Sequence, residues 1–390
     1  MKKILNNGLT IVAKESACQN LEVSVTFKGG HGNESKLGLA AVYENIVQQG
    51  AKCLSSIFGG SLTSFVTGSS VEKLPQTLEN LYKWCVTPEV NAETLSKAIA
   101  DIVQHTRDLA PLPKRQAKLA YKHTAFGNNK VFWNTEDYID KVSELTVADV
   151  ADYIANNFVG RNVVIGFCGP KKCFEEVIAV ADKLFGSLPK GKRHDIDLQY
   201  TGGFQRIEGN GKMQIALFGW DISKDNSTAD TNVLMSMLSG RLERSLAEAG
   251  LAAEAEVKIA GYFGLRTLRI AVFCPSTDDF QSCIDVVCAN VKRLKKSKAS
   301  DRRMETSKQK AMVERLAISN EALPRSVEIA WALLGRGIDY DADSAIANIW
   351  DVSARDVKDA AEEIFSKKMT CVLYTNATCD DVKDIEAKMA

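Results

Sequence analysis

The stretch YIDKVSELTVADVADYIANNFVGRNVVIGFCG, residues 138–169, decides the fold because the chain says it twice. Residues 345–376, AIANIWDVSARDVKDAAEEIFSKKMTCVLYTN, align with it without a gap at a shift of 207 positions. Ile139 meets Ile346, Asp149-Val150 meets Asp356-Val357, and Phe158 meets Phe365. Thr146 and Ser353 stand at equivalent helix starts, each with an aspartate three residues on, which is capping-box spacing. The apolar spacing then predicts a helix of about 12 residues running into an apolar strand, NVVIGFC in one copy and MTCVLYT in the other. Few residues are identical, but the pattern agrees position by position.

The beginnings of the two halves correspond as well. Residues 8–27 read as two strands about a turn, GLTIVAKES and LEVSVTF, followed by a helix at 38–49. Residues 203–219 read as FQRIEG, a Gly-Asn-Gly turn and MQIALFG, followed by a helix over Ala229–Leu238. Asn-Gly and Gly-Asn-Gly are hairpin chemistry. Residues 255–260 and 265–273 predict a further hairpin. The chain is therefore expected to be α+β, with two homologous tandem domains, each a largely antiparallel sheet packed with helices. The first domain is placed at 1–190, a Gly-, Pro- and charge-rich linker at 191–202, and the second domain at 203–390.

Composition narrows the function. With 49 Lys+Arg against 49 Asp+Glu the formal net charge is zero, which argues against a nucleic-acid binder driven by phosphate neutralisation. A neutral chain also has little self-repulsion to keep it out of an assembly. No apolar run reaches the roughly 18–20 residues of a membrane-spanning helix. The start, MKKILNNGLTIV, lacks the continuous apolar core of a secretory signal and reads as strand, turn, strand. The ten cysteines contain no CxxC pair, and several lie in apolar runs, as expected for free thiols in a reducing compartment. Phosphate-loop, dinucleotide and serine-elbow motifs are absent.

One helix carries the functional question. In GLAAVYENIVQQG, residues 38–50, the apolar residues Leu39, Val42, Tyr43, Ile46 and Val47 recur at helical spacing. Ala41 and Asn45 share a face one turn apart, with Glu44 on the next edge. The order H-x-x-E-H on such a helix would bring two imidazoles to one zinc and set a glutamate beside the attacking water. Here the five positions read Ala-Val-Tyr-Glu-Asn.

Together with GLAAVYEN, the segments LFGSLPKG and 138–168 and the duplication itself, this helix resembles the pitrilysin and mitochondrial processing peptidase family over nearly the whole chain. The resemblance implies that the first two metal ligands would fall on Ala41 and Asn45 and the general base on Glu44. The third ligand would correspond to Gln104 in ETLSKAIADIVQH. Alanine offers no donor atom, and the side-chain amides of asparagine and glutamine are poor zinc ligands. Glu44 alone cannot hold a catalytic Zn²⁺, which needs about three protein ligands. The expectation is no catalytic residue, no metal and no cofactor. The four histidines, His31, His105, His123 and His194, are scattered in sequence and are not expected to rebuild the centre.

As a catalytically inactive relative, the chain is expected to act as a non-catalytic subunit that pairs with a homologous peptidase-like chain. The expected surroundings are cytochrome-complex subunits on the matrix side of the mitochondrial inner membrane, peripheral to the bilayer. The alternatives are an active peptidase chain in an organelle matrix or in the bacterial cytoplasm, and a zinc peptidase with displaced ligands. The family's mobile glycine-rich loop would lie within residues 232–250, where only Ser239-Gly240 remains. The basic run KRLKKSKASDRR, residues 292–303, reads most simply as a solvated helix end, and the scattered tryptophans as core or interface anchors.

Overall fold

The structure is a computed structural model. It describes every residue except 17–20, 33, 59, 128–133, 196–197, 210, 212, 223–227, 263–264, 318–324 and 340. Trp133, Asn210 and the turn residues Phe263 and Gly264 of the sequence reading lie outside the described residues.

In chain order, β1 (Lys2–Ile4), β2 (Thr10–Glu15) and β3 (Leu21–Phe27) precede α1 (Leu39–Gly50), β4 (Ser55–Phe58) and β5 (Thr63–Ser69). Five helices follow: α2 (Leu74–Val86), α3 (Ala92–Leu109), α4 (Pro113–Phe126), α5 (Thr135–Ser143) and α6 (Val147–Asn157). Then come β6 (Val163–Gly169), α7 (Phe174–Phe185), β7 (Gly203–Ile207), β8 (Gln214–Asp221), α8 (Thr228–Glu248), β9 (Glu254–Tyr262) and β10 (Leu265–Cys274). The chain closes with α9 (Phe280–Lys296), α10 (Asp301–Ala317), α11 (Arg325–Arg336), α12 (Ala342–Asp351), α13 (Ala354–Phe365), β11 (Met369–Tyr374) and α14 (Val382–Met389).

The duplication is real at the level of strand order. One sheet runs β1-β2-β6-β3-β5-β4 and the other β7-β11-β8-β10-β9. Apart from the extra β1, the two are the same permutation. Equivalent residues even take equivalent places: Ile165 faces Val25 across β6–β3, and Val372, 207 positions later, faces Leu217 across β11–β8. All pairings are antiparallel except β2–β6 and β7–β11, so both sheets are largely antiparallel within an α+β fold. The capping boxes also form in both copies, Thr146 with Asp149 and Ser353 with Asp356. Asn7-Gly8 makes the β1–β2 turn, and β9 pairs with β10 from Leu265–Tyr262 onward.

Two expected hairpins are corrected. β2 and β3 are not neighbours, and neither are β7 and β8. In each sheet the strand that ends the repeated helix–strand unit inserts between them, β6 in one case and β11 in the other. Local turn chemistry at residues 209–211 is outweighed here by the burial of an apolar strand at the sheet centre, where β6 and β11 are buried at every position. The helix expected over Ala229–Leu238 also extends ten residues further, to Glu248. Leu238, Leu242 and Leu246 continue its buried stripe at one-turn spacing. Ser239 and Gly240 sit inside this single helix.

The chain forms two compact units, and their membership is not sequential. The first comprises Met1–Arg107, Trp133–Asp197 and Ala317–Asp341; the second comprises Asp108–Phe132, Leu198–Leu316 and Ala342–Ala390. Thus α11, from late in the chain, covers β6, β3 and β2, while α4, from early in the chain, covers β11, β7 and β8. Strand alternation explains why there is something to cover. In β3, Leu21, Val23, Val25 and Phe27 enter the core of the first unit, while Glu22, Ser24 and Thr26 turn to the α11 side.

Among the described residues all nine cysteines are free thiols. No helix searched is long and apolar enough to cross a membrane.

Candidate functional site

The site begins with how α1 is held. Leu39, Ala40, Val42, Tyr43, Ile46 and Val47 are buried. Tyr43 stacks edge-on to Phe27 at 5.9 Å and to Phe65 at 5.8 Å, and its hydroxyl donates to Cys85 O at 2.6 Å. Burial, with the neighbouring Cys85 thiol and Tyr153 phenol, lifts the Tyr43 phenol well above its ordinary range. Nearby, the Tyr153 hydroxyl donates to Gly29 O at 2.6 Å. The helix has no capping side chain at Gly38; Glu34 serves instead, its carboxylate accepting from the N–H groups of Gly38 and Ala40, both at 3.0 Å. Gly38 itself has φ 88°, and a Cβ there would run into Val142, so α1 starts where only glycine fits.

This packing leaves Ala41, Glu44, Asn45 and Gln48 on the half-exposed side. Ala41 presents a methyl group. Asn45 Oδ1 accepts from Gln49 Nε2 at 2.8 Å, and the same Nε2 reaches Thr94 O at 3.2 Å at the start of α3. The Asn45 carbonyl is thereby committed within its own helix. Glu44 Oε1 accepts a short hydrogen bond from Ser56 Oγ on β4. Ser56 and Phe58 share one face of that strand; Phe58 packs edge-on against His31 at 4.6 Å, and His31 Nδ1 lies 3.9 Å from Glu34. The Glu44 carboxylate, the Ser56 hydroxyl and the His31 ring are therefore gathered about β4, a grouping that spacing along the chain did not reveal.

The other sequence candidates lie elsewhere. Gln104 is exposed on α3, ten residues and about 15 Å of helix rise beyond Thr94. His105 is exposed beside it. His123 belongs to the second unit on α4, where burial and the charge of Lys122 lower its pKa. His194 meets Asn156 O at 2.9 Å. Among the described residues no three His, Cys, Asp or Glu side chains gather as a metal requires. The chemistry of this donor set does not fit Zn²⁺: one methyl group, one internally bonded amide, and one carboxylate held by a serine.

Comparison with known proteins agrees with this reading of the fold. Residues 144–311 match the family model described as Peptidase M16 inactive domain. A chain of Complex III2 from Candida albicans, in a structure with Inz-5 bound, superposes with a TM-score of 0.83 at 15% identity, covering 100% of this chain and 99% of that one. The crystal structure of a peptidase M16 inactive domain from Pseudomonas fluorescens gives a TM-score of 0.84 at 14% identity, with 98% and 99% covered. No curated protein matches by sequence. The chain carries the peptidase M16 fold from end to end and matches that family's inactive-domain model across residues 144–311.

Proposed function

We propose that this protein is a non-catalytic, processing-peptidase-like subunit that works by shape and contact, as core protein 2 of ubiquinol–cytochrome c reductase does, on the matrix side of the mitochondrial inner membrane. The observation that carries the reading is the state of α1. Where a peptidase of this fold would present imidazoles, Ala41 has no donor and Asn45 is bonded to Gln49. Without a Lewis acid the pKa of water stays near 15.7 rather than about 7, and Glu44, already accepting from Ser56, has no activated water to deprotonate. End-to-end coverage of a Complex III2 chain supports the respiratory setting, and the neutral net charge suits a chain housed in an assembly.

A native pull-down in mild detergent tests this. Recovery of a homologous chain of similar size together with cytochrome subunits is the expected result. Recovery of a single soluble chain carrying an intact H-x-x-E-H would move the protein to the partner of an active peptidase, the reading to which the bacterial inactive-domain structure lends weight. Isolation as a lone chain with chelator-sensitive cleavage of peptides would overturn both.

A further inference from the structure

The basic run at 292–303 is more than a solvated helix end. It spans the last turn of α9, the connection, and the first turn of α10, and two of its arginines face a third on α8. The charges that act most on Arg241 are those of Arg303, Arg293 and Arg244. Hydrogen bonds fix the helices that bring them together. Asn290 Nδ2 donates to Ser245 Oγ at 3.1 Å, holding α9 beside α8 one turn before Arg293. Ser236 Oγ donates to Glu314 at 2.8 Å and Lys310 Nζ to Ser239 at 3.3 Å, so α10 runs antiparallel to α8 and brings Arg303 level with the turn that follows Arg244.

Arg241 is the unusual member. Its Nε and Nη1 are sealed from solvent and meet no acceptor. Of the carboxylates on these helices, Glu243 is engaged with Ser239 at 3.1 Å and Lys310 at 3.7 Å, and Glu314 with Ser236 and with Lys310 at 4.0 Å. Burial and the three like charges push the guanidinium down to about 10. A half-buried cation with two unmet donors is costly unless an anion completes it.

We infer that Arg241, Arg244, Arg293 and Arg303 form a binding site for a phosphate group, either inorganic phosphate or a phospholipid headgroup. Planar guanidinium forks match phosphate oxygens in pairs. A single carboxylate offers two oxygens and one charge, too few for four guanidinium groups, whereas phosphate brings up to two charges and more acceptors. The first turn of α10, which also carries Asp301, adds its positive dipole end.

Calorimetric titration of the full chain with sodium phosphate against sodium chloride at equal ionic strength, together with sedimentation on phosphatidylcholine vesicles with and without phosphatidic acid, tests the site. Saturable binding of phosphate, or of phosphatidic-acid vesicles only, is expected, and the arm that binds identifies the source. Arg241→Gln abolishes binding. Arg293→Gln and Arg303→Gln, on side chains outside the apolar core, weaken it about ten-fold or more, and Lys298→Gln leaves it unchanged. Absence of binding in both arms, or unchanged binding by Arg303→Gln, overturns the site. Neither result bears on the partner reading.

Discussion

The two sheets share a strand order and differ in how each is covered. On the first, α11 lies close, through a mostly apolar contact. Ile329, Ala330 and Leu334 pack on Val12, Val164 and Cys168. Trp331 Nε1 donates to Ser64 Oγ at 2.6 Å, and Ser326 N donates to Glu22 at 2.6 Å. The helix approaches so closely that a Cβ on Gly166 would stand 2.1 Å from Ser326 O. On the second sheet α4 brings charge. Lys114 lies over the Phe273 ring at 4.0 Å, and Arg269, buried on β10, has its guanidinium 5.9 Å from the Tyr121 ring. Lys122 is pushed down to about 8 by burial and by Arg115, Arg269 and Lys118. Here a Cβ on Gly219 would meet the Tyr121 hydroxyl at 1.8 Å. A duplicated architecture therefore constrains strand order strictly and the chemistry of its outer face hardly at all.

The sharpest break in that comparison is at the glycines. Gly166→Ala collides with backbone that cannot swing away and is expected to destabilise by about 3 kcal/mol or more. Gly219→Ala collides with the end of a side chain and should cost less, about 1–3 kcal/mol, with a measurable part recovered in the double variant with Tyr121→Leu. Denaturant titrations of the four proteins check the order; equal losses would mean that the two helices are seated alike.

Lys122 sets the next difference. Its folded pKa, about 8, lies below the ordinary lysine value of 10.5, so the unfolded chain binds more protons between those values. Stability of the second unit should rise with pH across that window by no more than about 3 kcal/mol. Lys122→Met should remove the rise and be more stable than the parent below pH 8, which thermal melts at a series of pH values would show. Buried tyrosines and cysteines titrate in the opposite sense, so the difference between variant and parent is the quantity to follow.

Smaller effects probe the remaining contacts. Trp331→Phe keeps the ring packing and loses the bond to Ser64, with an expected loss of about 1–2 kcal/mol. Thr146→Ala and Ser353→Ala should each cost about 1 kcal/mol, and because the two capping boxes are built alike the two losses should agree. A large disparity would show that the repeated unit is not energetically repeated.

The sequence made the repeated unit legible because a capping box, a helical stripe and an apolar strand are local signals, and each stood at the same spacing in both copies. The strand insertion was not legible. Asn-Gly and Gly-Asn-Gly speak only for adjacent residues, whereas β6 and β11 reach their places through pairings more than 130 residues apart in sequence. Nor could amphipathic spacing say that α4 and α11 each cover the sheet of the other half, since an apolar stripe does not name its partner. At the candidate site, the missing imidazoles at Ala41 and Asn45 could be read from five letters. The hold of Ser56 on Glu44 could not, because β4 reaches α1 only through the folded sheet.

Zinc stoichiometry tests the central claim most directly. The purified chain, equilibrated with Zn²⁺ and dialysed, is expected to retain essentially none by elemental analysis, and Glu44→Gln is expected to match it. Retention of about one zinc per chain, lost in the Glu44→Gln variant, would contradict the account by showing that the centre on α1 still holds its metal.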